Sequence, residues 1–242
     1  MTSKKILDKG VMNFFGKKEE CRSLSNFSEL EVMIDKRLYE SGEHAYHGER
    51  FVRLAELCVD NNRKMLLSEY GKQFLKPSAF KCGANVKAKG GKNGFRLEDA
   101  EMEIWTTSIG IEVQRKICLW KRDNYMTVRN DLEKTKGKIL VHPAMRCSEE
   151  KLLTRLWEGR GVVIEGKIVI LGKNMLGNLW MELRDEPINL RIRLLESREL
   201  LRSSLVEKVR MLRLDLDNIE KECLEIAELT DNELMLKYEG TV

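Results

Sequence analysis

The chain has 242 residues, 42% of them hydrophobic and 34% charged, and its 43 basic and 39 acidic side chains give a formal net charge of +4. This balance supports a buried core and excludes global disorder, while so small a charge surplus says little about partners, for which local clusters matter more. Six cysteines, none at CxxC spacing or beside a histidine at zinc-site spacing, read as reduced thiols. The leading Met-Thr-Ser-Lys-Lys opens no apolar run of signal-peptide length, and no stretch approaches the ~20 apolar residues of a membrane span, so the expected setting is the cytoplasm, or the nucleus.

In chain order, Val11 to Phe15 is a short apolar run with strand character. Leu30 to Tyr39 reads as a hairpin: Val32 and Ile34 enter, Asp35-Lys36 turns and Leu38 leaves. Ser41 is placed to cap a helix with Glu43 in its first turn, Tyr46, Arg50 and Arg53 near one face and Ala45, Phe51, Leu54 and Cys58 nearer another. Asn61 or Asn62 breaks that helix, a second covers Arg63 to Phe74, and Pro77 ends it. Lys81 to Arg96 combines five cations with four glycines and no acid, which predicts a mobile basic loop. A long helical pattern runs from about Leu97 to Lys134 with a break near Gly110. Lys138 to His142 is a strand stopped by Pro143, and Val162 to Ile170 forms a tight hairpin around Glu165-Gly166. Asn174 then caps a helix to Arg184, ended by Pro187. Beyond it, Leu205, Val209, Leu212, Leu216, Ile219, Cys223 and Ile226 alternate steps of four and three, a heptad-like stripe that packs on the domain or against a second copy. The expected fold is α+β: one helix-rich domain over residues 1–187 with small hairpins and an antiparallel sheet, followed by an amphipathic helical extension over 188–242.

Three segments carry more polar chemistry than a core helix needs. In Leu24-Ser25-Asn26-Phe27 the Asn26 amide both donates and accepts, and Phe27 can stack on a flat heterocycle; the alternative is an Asn-mediated turn above a core Phe. In Ser41-Gly42-Glu43-His44-Ala45-Tyr46 the Glu43 carboxylate sits at a helix start, able to polarise a water or hold a diol, or to serve only as a helix-start acid, with Tyr46 one turn on. His44 and His47 lack a third ligand at matching spacing, so no metal is assigned. Gly172-Lys173-Asn174-Met175-Leu176-Gly177 is either a phosphate-binding helix start or a glycine-assisted strand-to-helix turn, and it is neither a P-loop nor GxGxxG. The basic stretch 81–96 offers a solvated or substrate-covering loop, or a nucleic-acid contact with only Phe95 to stack.

The order of these pieces resembles the NADAR (YbiA-like) family over roughly residues 11–186. Trp105 resembles the Trp that opens that family's middle helical region, Lys121 before Asp123 and Asn124 resembles its Lys-Phe-x-x-Asn segment, and Trp157 with Gly159 resembles its Trp-Gly-x-Gly element. The resemblance implies a small, helix-rich α+β protein without cofactor or metal that hydrolyses an N-glycosidic bond, in an early riboflavin-pathway intermediate or in an ADP-ribosylated guanine. On that reading Glu43 supplies the carboxylate. His142, where the family has Glu after Leu-Val, is a candidate proton carrier. Asn26, Phe27 and Trp157 hold the base beside Tyr46, and Arg50, Lys173 and the turn Gly172 to Gly177, with Asn174, hold phosphate. Arg50 stands where the family has the Lys of Tyr-Gln-Ala-x-Lys, a candidate Schiff-base nucleophile; a guanidinium cannot take that role.

Overall fold

The computed structural model describes residues 2–14, 20–91, 93–144 and 147–185. The heptad-like stripe and the extension predicted for 188–242 lie outside these residues. The described part is α+β and helix-rich, with three two-stranded sheets.

The element that organises it is α2 (Gly42–Leu57), capped as expected by Ser41, whose Oγ accepts the His44 N–H. It packs against α3 (Asn61–Lys72), α4 (Gly83–Gly90) and α6 (Gly110–Asn124). Phe51, Phe74, Phe80, Leu67, Trp105 and Ile117 fill the core between these helices. A second core gathers Phe14, Leu24, Cys118, Leu140 and Trp180 on the other side of α6, against α9 (Met175–Asp185). Burying these large aromatic and aliphatic side chains contributes about 1.5–3 kcal/mol each before ordering costs, which makes the two cores the main source of stability.

Both predicted hairpins are present. β2 (Val32–Ile34) pairs antiparallel with β3 (Arg37–Tyr39), and Asp35 and Lys36 both adopt left-handed φ. β5 (Arg160–Ile164) pairs with β6 (Lys167–Leu171) around Glu165 and Gly166, again both at positive φ, the geometry that lets a two-residue turn follow strand twist. The remaining sheet differs from expectation: β1 (Val11–Asn13) pairs parallel, not antiparallel, with β4 (Ile139–Val141). The intervening chain contains α2 to α7, and a connection of that length permits parallel alignment.

Four other differences have local causes. Asn61 starts α3 rather than breaking α2, because Asp60 caps it by accepting the Arg63 N–H at 2.7 Å. The predicted basic loop contains α4, whose Val86 is fully buried against the α2 side; that contact overrides the glycines and lysines that read as loop. The predicted long helix is divided. α5 (Asp99–Ile104) passes through a π turn at Trp105–Ile109 into α6, and extended Tyr125 separates α6 from α7 (Met126–Lys134). Gly110 does not break the helix; it admits Trp105, since a Cβ there would lie 2.7 Å from the Trp105 carbonyl oxygen. Two short helices, α1 (Ser3–Gly10) and α8 (Glu149–Thr154), had no sequence expectation.

Candidate active site

Glu43, Tyr46, His47 and Arg50 follow one another at helical spacing on α2, and all but Tyr46 are more than nine-tenths buried. His47 Nε2 lies 3.2 Å from Glu43 Oε1, an i,i+4 pair. Trp105 Nε1 donates to the Tyr46 hydroxyl at 3.0 Å, and the Trp157 ring meets the Tyr46 ring edge-on at 5.6 Å. The Arg50 guanidinium lies 5.4 Å from the centre of the Trp105 ring and donates from Nη1 to the Gly90 carbonyl at 2.8 Å.

The electrostatics bind the more distant members to this group. Burial lowers the pKa of His47; Glu43 opposes the fall, and Arg50 and Lys87 add to it. Burial also lowers His142, with Glu158 and Glu43 opposing and Lys87 adding. His142 and Glu43 are therefore within electrostatic reach of each other, and Lys87 on α4 acts on both histidines. Burial depresses Arg50 while Tyr46 and Glu43 favour its charge. Burial raises the Tyr46 phenol, and Arg50 with the Trp105 and Trp157 indoles pulls it back. Lys87 Nζ also lies 5.8 Å from the Phe27 ring centre, which places Phe27 and Lys87 together. These two side chains stand less buried than the Glu43 group.

Among the described residues, the buried side-chain polar atoms without a hydrogen-bond partner are His47 Nδ1, Arg50 Nε and His142 Nδ1. Buried polar atoms in folded proteins are normally satisfied, so these exceptions in one neighbourhood set it apart from the rest of the described residues. No group of three or more metal-ligating side chains occurs among the described residues.

The other expected site residues are held differently. The Asn26 amide is taken by Gln114, with Nδ2 to Oε1 at 2.8 Å and the return bond at 3.1 Å. Its carbonyl accepts the Glu43 N–H at 2.9 Å, so Asn26 anchors the start of α2. The rest of the turn is tied to α9 by Trp180 Nε1 on the Leu24 carbonyl and to α6 by Lys121 Nζ on the Ser25 carbonyl and the Ser28 hydroxyl. Asn174 acts as a piece of strand: its Nδ2 donates to the Leu140 carbonyl at 2.8 Å and its Oδ1 accepts the His142 N–H at 3.0 Å. The Asn174 and Met175 N–H groups donate to the Glu158 and Leu156 carbonyls, which fixes Trp157 between them. Gly172 has φ of +84°, and Gly177 is required by contact, because a Cβ would overlap the Leu140 carbonyl. Lys173 is exposed. The turn Gly172 to Gly177 thus positions His142 and Trp157. The Asn26 and Asn174 side chains bond to protein, and Gly177 allows close packing against the Leu140 carbonyl.

Sequence reasoning treated His47 only as a rejected metal ligand and Lys87 only as a loop charge. The i,i+4 spacing of Glu43 and His47 was the signal that could have found the first. Nothing local pointed to Lys87, because α4 is placed by tertiary contact.

No family model matches this chain, and no curated protein matches it. Among solved structures it is similar to the NMR structure of the E. coli protein YbiA, at 21% identity over 77% of this chain and 88% of that chain, with a TM-score of 0.46. The relationship is structural and distant. No helix of the described residues is long and apolar enough to cross a membrane.

Proposed function

We propose that the Glu43 neighbourhood binds a phosphorylated ribosyl compound and hydrolyses its C1′–N bond, with an ADP-ribosylated guanine or a ribosylaminopyrimidine phosphate as substrate. The observation that carries this reading is the set of unpartnered buried nitrogens on His47, Arg50 and His142 around one buried carboxylate. A C1′–N bond breaks through a state with positive charge on the sugar, which a carboxylate such as Glu43 stabilises. Trp157 and Phe27 offer faces for the departing base. Lys87, which forms no ion pair among the described residues, and Arg50 offer cations for phosphate. The order of motifs that resembles the NADAR family agrees with this assignment.

A second reading is a module that binds such a ligand without cleaving it. Arg50 favours it, because an arginine in place of the family's lysine closes the covalent route through a Schiff base. Incubating the pure protein with ADP-ribosylated guanosine and with a ribosylaminopyrimidine phosphate, and following release of the free base by chromatography, separates the two. Hydrolysis that disappears in Glu43→Ala supports the glycosidase. Calorimetric binding of ADP-ribose with no base released from either substrate supports the binding module.

A further inference from the structure

We infer that His47, oriented by Glu43, is the catalytic base that activates water for C1′–N cleavage in this chain, in place of a covalent lysine; the inference rests on the glycosidase reading above. A carboxylate oxygen only accepts, so at 3.2 Å from Glu43 Oε1 the His47 Nε2 must carry the ring hydrogen. In the neutral ring Nδ1 then holds a bare lone pair, and this is the nitrogen that has no partner. The pairing is that of a base oriented by a third group, as nucleophile-activating histidines require. Burial and the neighbouring cations lower the His47 pKa below its ordinary 6.5, which keeps the ring neutral and able to accept a proton at pH 7.

His44, one turn away on the same helix, shows the contrast. Its Nδ1 lies 2.8 Å from Ser41 Oγ and its Nε2 lies 3.0 Å from the Phe80 carbonyl oxygen, so neither nitrogen is open. His142 also has a bare Nδ1, but no carboxylate among the described residues is hydrogen-bonded to its ring, whereas Glu43 Oε1 lies 3.2 Å from His47 Nε2. The charged groups acting on His47 are Glu43 and Arg50 on its own helix and Lys87 from α4; the facing Phe74 ring is apolar.

In the step itself, His47 Nδ1 takes a proton from water as the water oxygen bonds to C1′. The C1′–N pair leaves with the heterocycle, and the departing nitrogen receives that proton from His47, so the products are the free base and the 1′-hydroxyl sugar and the ring ends neutral. Gly90, at the end of α4, closes over the same nitrogen. A Cβ at position 90 would overlap the His47 ring, and Arg50 holds the Gly90 carbonyl. For water to reach Nδ1, this turn of α4 must therefore move aside, with Arg50 Nη1 and the Gly90 carbonyl parting.

The full chain contains three histidines, so a long-range nitrogen–carbon-bound-proton NMR spectrum assigns the tautomer of each. His47 is expected with hydrogen on Nε2 and a pKa below 6.5; hydrogen on Nδ1 overturns the inference. With substrate, His47→Gln is expected to lower kcat by about 100-fold or more while ADP-ribose binding stays within about threefold. The acid limb of the wild-type pH profile, where kcat/KM rises as His47 loses its proton, is expected to vanish in the variant. His47→Ala with added imidazole is expected to recover activity, which separates lost chemistry from lost folding. A sugar adduct on the wild-type protein trapped by borohydride, or full activity in His47→Gln, overturns the inference while the glycosidase reading survives. A wild-type protein that releases no base from either substrate overturns that reading, and the inference with it.

Discussion

Two glutamates of α2, six residues apart, sit in opposite circumstances. Glu49 is fully buried and saturated: Arg37 donates to it twice, at 2.7 and 2.9 Å, Tyr39 once at 2.8 Å and Arg53 once at 3.0 Å. The bond to Glu49 raises the Arg37 pKa, and burial together with that carboxylate raises the Tyr39 phenol. Glu43 is almost as buried, yet its visible side-chain partner is His47, which itself has an open nitrogen, and Arg50 beside them has another. One carboxylate is used to hold β3 to α2, and the other is surrounded by groups whose bonding is incomplete. Burial is common to both carboxylates; unfilled bonding capacity around one of them is what separates them.

Breaking the saturated side should damage the fold most. Glu49→Ala leaves Arg37 and Tyr39 without their common acceptor and is expected to lower unfolding free energy by about 3–5 kcal/mol, read from urea titration. An effect below about 1 kcal/mol would remove the contrast between the two faces.

Lys121 tests the supports beneath the site. It is fully buried, has no acidic partner among the described residues, and burial lowers its ammonium pKa to about 8. The unfolded chain keeps this proton to a higher pH than the folded one, so the burial penalty is fully present below pH 8 and is relieved as pH rises toward the unfolded value. Stability of the wild type relative to Lys121→Met is expected to rise by about 2 kcal/mol between pH 8 and pH 10. Taking the difference between the two proteins removes the opposing titration of Tyr39 and the cysteines.

Glu43→Gln should change stability by less than about 1 kcal/mol, because glutamine keeps an acceptor for His47 Nε2, while base release from substrate is lost. A stability loss equal to that of Glu49→Ala would make Glu43 a second structural carboxylate. The smallest effect is expected at the rim. Lys87→Ala should weaken ADP-ribose binding by about 1 kcal/mol or less, and the difference should shrink in high salt, as for any exposed cation.

Much of the local architecture was legible because its causes are local. The two hairpins follow from Asp35-Lys36 and Glu165-Gly166 at positive φ, and α2 follows from the Ser41 cap. Glu43, Tyr46 and Arg50 are legible as candidates on one helix for the same reason, while the i,i+4 pairing of Glu43 with His47 follows from that spacing but was missed. The roles of Asn26 and Asn174 were not legible. An asparagine amide suits a ligand and a backbone equally well, and the protein partners it finds here, Gln114 from α6 and Leu140 and His142 from β4, arrive only through the tertiary fold.

By itself, then, the sequence determined the helix-rich α+β composition, both hairpin turns, the cap of α2 and the carboxylate, phenol and histidine carried on that helix, since each depends on residues within about two helical turns of one another. The tertiary structure alone decided the parallel pairing of β1 with β4, the folding of α4 over His47, and which polar atoms end without a partner. Those outcomes depend on segments 40 to 130 residues apart meeting in space, and neither periodicity nor spacing encodes which donor will reach which acceptor.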